Sequence, residues 1–327
     1  AFELFQPPTV GDAVALADRH GADAWIMAGG MDTFDWLKDR IRQPRVVVDL
    51  SAVDELRGIR DAGGGLEIGA MTTLTDIARH ALVRERFGLL AEAAMLVASP
   101  QIRNQGTVGG NVSQDARCWY YRAGWPCYRA DGNICYADTP TAVNREHAIF
   151  DADRCVAVNP SDTAPALIAL DAEMVIRNAD GERTVPAVDF FVGPGVDIMR
   201  LTVLQPGDLL TTIRLPPTWS GKQFFFEKVC DRQVWDFALV NVASAMVTAG
   251  TTINDIRLVV NGVSARPYRL TRVEAAVRGR ARDEQTAQVA ATMATEGAVP
   301  LRHNAYKIPL MQNLVKRAIR GGPEWTS

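Results

Sequence analysis

The chain has 327 residues, 47% of them hydrophobic and 22% charged, with a net charge of −3 at neutral pH. That length accommodates two or three domains with sizeable cores, and the charge gives no case for nucleic acid or an anionic membrane surface. No apolar run approaches the ~20 residues of a membrane span. Ala1-Phe2-Glu3-Leu4-Phe5 lacks a basic region followed by an apolar stretch, which predicts a cytoplasmic protein, or a periplasmic one co-exported with a signal-bearing partner.

In chain order, Thr9 is placed to cap a helix running to about His20, with Gly21 as its left-handed stop. Ala24–Met27 reads as a short buried strand, and Ala28-Gly29-Gly30-Met31-Asp32-Thr33 turns into an amphipathic segment over 34–41. Pro44 resets the chain before the β-branched strand Val46–Asp49. Residues 66–68 alternate as a strand does, and helical spacing follows over 74–80 and 89–98. After an aperiodic stretch, Ser161 is an N-cap for a helix over 162–170. Residues 173–177 and 184–185 flank Asn178-Ala179-Asp180-Gly181, a hairpin signal. A strand over 211–215 is closed by Pro216-Pro217, and 216–221 is the best domain boundary. Strands near 223–229, 238–247 and 253–260, then helices near 270–278, 283–295 and 305–320, predict an α+β C-terminal domain.

The aperiodic stretch holds Cys118, Cys127, Cys135 and Cys155, leaving Cys230 as the one cysteine elsewhere. Trp119, Tyr120, Tyr121, Trp125, Tyr128 and Tyr136 share it, and such aromatic content argues against disorder. Clustered cysteines in a large cytosolic-looking chain are more often metal ligands or redox groups than disulfides. The gaps include no tight pair of the kind structural zinc usually shows. Spacing alone leaves an iron–sulfur cluster, zinc and unligated thiols equally open. His147, inside the loop, reads as a hydrogen-bonding or surface residue rather than a ligand. Cys230, on a predicted strand, reads as a buried apolar residue. No Ser/His/Asp set or carboxylate pair stands out, so any chemistry belongs to cofactors.

Two double-glycine turns can bring backbone N–H groups close to a pyrophosphate. Gly29-Gly30 follows a strand and opens a helix, and Gly109-Gly110-Asn111 offers a second contact with an added amide. Each, taken singly, also reads as a tight turn needing positive φ. Neither matches GxGxxG or a P-loop.

Together these motifs resemble the FAD-binding subunits of the molybdenum hydroxylase, or xanthine dehydrogenase, family. The resemblance rests on the Ala-Gly-Gly turn, Leu66–Leu74 ("LEIGAMTTL"), Ile102–Asn111 ("IRNQGTVGGN"), Ser161-Asp162, Pro206–Pro216 ("PGDLLTTIRLP"), Lys228–Arg232 ("KVCDR") and the closing segment Ala305–Ile319. The passage from Asn111 to Asp162 is far longer than in most members. It resembles a subgroup carrying an extra 4Fe-4S cluster, which includes 4-hydroxybenzoyl-CoA reductase and certain bacterial aldehyde oxidoreductases. "GGNVSQDARC" at Gly109–Cys118 is close to the reductase, while the gaps on either side of Cys127 and Cys135 depart from it.

The resemblance implies an α+β fold: a vanillyl-alcohol-oxidase (PCMH) type FAD domain over 1–218, then a CO-dehydrogenase-flavoprotein type domain over 219–327. The first would divide near 55 and carry the iron–sulfur insertion at 113–158. Ile26, Met27, Ala28, Gly29, Gly30, Met31, Asp32 and Thr33, with Thr107, Val108, Gly109, Gly110 and Asn111, are expected around the FAD pyrophosphate. Asp162 is expected on ribityl or ribose hydroxyls, Leu209 and Lys228 near the flavin, and Thr72 as a weaker candidate. Cys118, Cys127, Cys135 and Cys155 are the expected cluster ligands. Partners are a molybdopterin-binding large subunit, a 2Fe-2S small subunit and an external carrier (ferredoxin, NAD, quinone or cytochrome). The competing expectations are a four-cysteine zinc site used for subunit docking and a stand-alone FAD oxidase.

Overall fold

In the computed structural model, which describes residues 1–321, Thr9 caps the first helix as its sequence predicts, its Oγ1 accepting from the Asp12 amide. The expected domain end over 322–327 lies outside the described residues. The chain opens β1 (Glu3–Phe5), α1 (Val10–His20), β2 (Ala24–Met27), α2 (Thr33–Lys38) and β3 (Val46–Asp49). These strands form a parallel sheet in the order β1-β3-β2, joined by helical crossovers as parallel strands require. Val10, Ala13 and Val14 of α1 pack on Val46 and Val48. β2 is half-buried rather than buried, because it borders a cleft.

A second unit contains β4 (Ile59–Ala62), β5 (Gly65–Gly69), α3 (Leu74–Arg79), α4 (Ala81–Arg86), α5 (Gly88–Met95), α6 (Pro100–Gln105), α7 (Val108–Ser113) and α8 (Trp119–Arg122). After the cysteine loop come α9 (Thr163–Ala169), β6 (Glu173–Asn178), β7 (Gly181–Pro186), α10 (Ala187–Phe190) and β8 (Leu209–Leu215). The strands make an antiparallel sheet, β4-β5-β8-β6-β7, with the predicted hairpin between β6 and β7. The Gly109-Gly110 segment is helical, not a positive-φ turn. Thr107 caps it, accepting from the Gly110 amide.

The third sheet is β12-β11-β10-β9, built from β9 (Gln223–Val229), β10 (Val240–Ala249), β11 (Thr252–Asn261) and β12 (Tyr268–Arg269). Its helices are α11 (Thr271–Val277), α12 (Glu284–Ala294) and α13 (Lys307–Arg320). Alternation along β10 sends Val240, Val242 and Met246 to the core beneath α12 and α13. It sends Ala243 and Ala245 to the core shared with α5 and α9. Both faces are therefore buried, which explains a near-continuous apolar run, and one core spans the 216–221 boundary.

Lys307, fully buried at the start of α13, donates to the Glu146 and Gly262 carbonyls at 2.9 and 2.6 Å. Burial pushes its ammonium from the ordinary 10.5 down to about 7, with Glu146 opposing. The unfolded chain thus binds this proton more tightly, so Lys307's contribution to stability rises as pH climbs from about 7 toward 10.5. Melting wild type and Lys307→Met at pH 6.5 and 9 checks the sign: the wild type should gain more from the higher pH.

Candidate functional site

The β2–α2 turn, the start of α7 and the segment leading into β8 enclose a cleft of about 870 Å³, within the range of ligand pockets. Ile26, Ala28, Gly29, Gly30, Met31, Asp32 and Thr33 line it from the turn. Thr107, Gly109, Gly110 and Asn111 line it from α7, and Asp162 and Leu209 line it too. Segments far apart in sequence thus share one wall.

Steric space explains the glycines better than φ does. A Cβ on Gly29 would stand 1.9 Å from the Gln105 carbonyl oxygen, and one on Gly109 2.8 Å from Ala70. Only Gly30 has the positive φ, +77°. Gly29 and Gly109 are glycines because neighbouring backbone packs too closely on them for a side chain.

Four expected residues stand off its wall. Met27 is on the other face of β2 from Ile26. Val108 is fully buried in the main core. Thr72 is buried and donates to the Gly58 carbonyl at 3.0 Å. Lys228 lies behind Asp162, bridging its carboxylate at 2.6 Å to the Leu96 carbonyl at 2.9 Å.

Asp162 is held by two donors, since Asn241 also donates to it at 2.9 Å. Burial pushes its carboxyl above the usual range, while Lys228 pulls it back. Asn111 Oδ1 accepts from Ser161 at 2.6 Å and Thr163 at 2.7 Å, which ties the Gly-Gly-Asn segment to the Ser-Asp pair. Asn261 donates to the Ser161 carbonyl at 2.8 Å. Sequence reading missed Asn241 and Asn261. Asn241 carried a signal, a lone amide inside an apolar strand, where a buried polar group needs a partner; Asn261, at the end of a strand that also holds Asn254, carried none.

All four loop cysteines are free thiols; Cys127 and Cys155 are buried, Cys118 and Cys135 half-buried. Burial pushes the Cys118 thiol up to about 11, with Cys155 and Cys135 adding to it. Cys155 is likewise raised by burial, with Arg129 opposing and Cys135 and Cys127 adding. The thiols therefore share one neighbourhood. Among the described residues, however, no three His, Cys, Asp or Glu side chains form a group that could hold a metal ion.

Trp125 sits edge-on to Tyr120 and Tyr136, with ring centres 5.1 and 4.8 Å apart, though Trp125 itself is exposed. Arg129, another residue missed from sequence, is buried with its guanidinium 2.5 Å from Asp115. A second cavity of about 580 Å³ touches Cys118, His147 and Asp162, so the cysteine loop opens beside the first cleft. His147 takes the expected hydrogen-bonding role, its Nε2 lying 3.2 Å from Cys118 Sγ. Cys230 corrects its expectation: it follows β9 and is half-buried, because the strand ends at Val229.

Residues 1–218 match the family described as the FAD binding domain in molybdopterin dehydrogenase, and 225–321 the CO dehydrogenase flavoprotein C-terminal domain. The carbon monoxide dehydrogenase medium chain of Hydrogenophaga pseudoflava is 32% identical, over 97% of this chain and 96% of the relative. The aldehyde oxidoreductase FAD-binding subunit PaoB of Escherichia coli K12 is 33% identical, over 90% of each. A solved carbon monoxide dehydrogenase from H. pseudoflava, lacking the Mo-pyranopterin moiety of its cofactor, superposes with a TM-score of 0.77. It is 31% identical and covers 97% of this chain and 96% of that one. No described helix is long and apolar enough to cross a membrane.

Proposed function

The chain belongs to the FAD-binding medium subunits of the molybdenum hydroxylase family of oxidoreductases, and from that premise we propose that it relays electrons through two centres, FAD in the cleft and a 4Fe-4S cluster in the cysteine loop. The relay runs between a molybdopterin-binding large subunit with a 2Fe-2S small subunit and an external carrier. The observation that carries this reading is the second cavity, which touches both Asp162 of the cleft and Cys118 of the cysteine loop.

FAD, when bound, links partners that exchange electrons in pairs with partners that exchange them singly. The chain's residues supply its bed. Gly29, Gly30 and Gly110 let backbone approach the pyrophosphate closely, as a side chain there would not. Asp162, held by Lys228 and Asn241, presents an oriented carboxylate to ribityl or ribose hydroxyls. Four free thiols beside aromatic rings are the donor chemistry an iron–sulfur cluster takes. A cluster is larger than a single ion, so its thiolates stand further apart than the ligands of one zinc. Ligation would also offset the burial that raises the Cys118 and Cys155 thiols. Unpaired cysteines fit a reducing, cytoplasmic setting. In domain terms, 1–218 would carry both centres and 219–327 would cover the flavin side.

The test is cofactor analysis of anaerobically purified protein, with about one FAD and about four irons per chain expected. Flavin with zinc, or with no metal, would reduce the loop to a structural or docking element and end the relay. Cys127→Ser should strip or degrade the cluster while leaving flavin occupancy near wild type, because Cys127 does not line the cleft and the glycine segments and Asp162 lie outside the loop. Loss of both cofactors would point to one shared folding core instead.

A further inference from the structure

Among the described residues, His147 is the one whose side chain makes a hydrogen-bond contact with a loop cysteine, and it is itself held by an outside clasp. It is 5% exposed, with Nε2 3.2 Å from Cys118 Sγ. Its other ring nitrogen, Nδ1, is buried with no hydrogen-bond partner among the described residues. The clasp is the segment that enters α13. Asn304 donates to the His147 carbonyl at 2.9 Å and the Ala148 carbonyl at 3.1 Å. Lys307 donates to the Glu146 carbonyl at 2.9 Å, Tyr306 to the Arg145 carbonyl at 3.0 Å, and the His303 amide to Asn144 Oδ1 at 3.0 Å. The backbone on both sides of His147 is therefore fixed by the C-terminal domain, and the imidazole's position follows from it.

We infer that His147 is a positioning residue that donates a hydrogen bond from Nε2 to the Cys118 sulfur and so raises the reduction potential of the cluster in this loop. The inference rests on the cluster reading above. A cysteine bound to iron has no proton to give, so the 3.2 Å contact is a hydrogen bond only with the imidazole proton on Nε2. The orphaned Nδ1 agrees, because it has no acceptor for a proton of its own.

That N–H draws charge from the thiolate sulfur. Reduction puts one further negative charge on the cluster, and a donor to its sulfur stabilises the reduced form more than the oxidised one. One electron enters or leaves, and no bond forms or breaks. A residue that only filled space beside Cys118 would, when cut back to alanine, admit water and shift the potential up, the opposite sign.

The experiment is a potentiometric titration of the full chain in its complex, followed by EPR of the reduced cluster, with iron measured in each sample. His147→Ala should keep wild-type iron and titrate at a lower potential. His147→Gln, which can donate from its amide, should recover part of the shift. An unchanged or raised potential in His147→Ala with full iron overturns the inference. Because the alanine variant could shed iron through altered folding, wild-type protein labelled with 15N-histidine supplies a second readout. A weak 15N coupling to the reduced cluster is expected; a strong coupling, marking direct ligation, or none at all overturns it. Wild-type protein without iron would instead remove the cluster reading beneath, a distinct result.

Discussion

Gly29→Ala is expected to abolish flavin binding and to cost about 3 kcal/mol of stability, the upper end of ordinary overpacking. The added methyl would lie 1.9 Å from the Gln105 carbonyl oxygen and 2.8 Å from its carbon. Both sides of that contact are backbone, so no side chain can rotate away. Gln105 cannot retreat cheaply, because Gly106 is bonded on one side to the Ile102 carbonyl and on the other to the Leu74 amide. The β2–α2 turn must therefore move, and it carries Gly30 and Thr33 of the cleft wall with it. Gly88→Ala is the control: its Cβ would meet nothing closer than 3.8 Å, so stability should change by no more than about 0.5 kcal/mol. Urea melts and the flavin-to-protein absorbance ratio read both effects. Full flavin occupancy in Gly29→Ala would show that this turn does not form the FAD bed.

Lys228→Met should destabilise the chain by about 3–5 kcal/mol, the usual cost of stranding one charge of a buried pair. Lys228 Nζ and Asp162 Oδ2 are 2.6 Å apart, each side chain only 4% exposed. Without the lysine, Asp162 keeps a single donor, Asn241, for a carboxylate already raised by burial. Combining Lys228→Met with Asp162→Asn should recover much of the stability, since no buried charge is then left alone. The double variant should still bind flavin weakly, because the carboxylate that would meet the ribityl or ribose hydroxyls is gone. Thermal melts of the two singles and the double form the cycle. Additive losses would refute the pairing, and wild-type flavin affinity in the double would refute Asp162 as a contact.

Residues with strong local signals were read well. Thr9 and Gly21 bound the first helix, the Asn178–Gly181 turn joins a hairpin, and β9 spans the expected 223–229. Elements of two or three residues, β1 and β12, are too short to show a period and exist because a neighbouring strand offers a ladder. The Gly109-Gly110 helix was hidden because two glycines read as a turn, and only the Thr107 cap and the packing on Ala70 keep them helical. Thr72 and Val108 sit in the right motifs but point into protein, and a motif does not say which way a side chain faces.

Caps, alternation and turn glycines act over a few residues, so the sequence by itself determined the order of the longer elements, the family and the main segments that line the cleft. Tertiary structure alone decided the rest. Asp162 meets Lys228 across 66 positions, His147 meets Cys118 across 29, and Lys307 reaches Glu146 across 161. Such meetings are set by how sheets and helices stack once their apolar faces are buried. Over those separations local propensity carries no information about which side chains will touch.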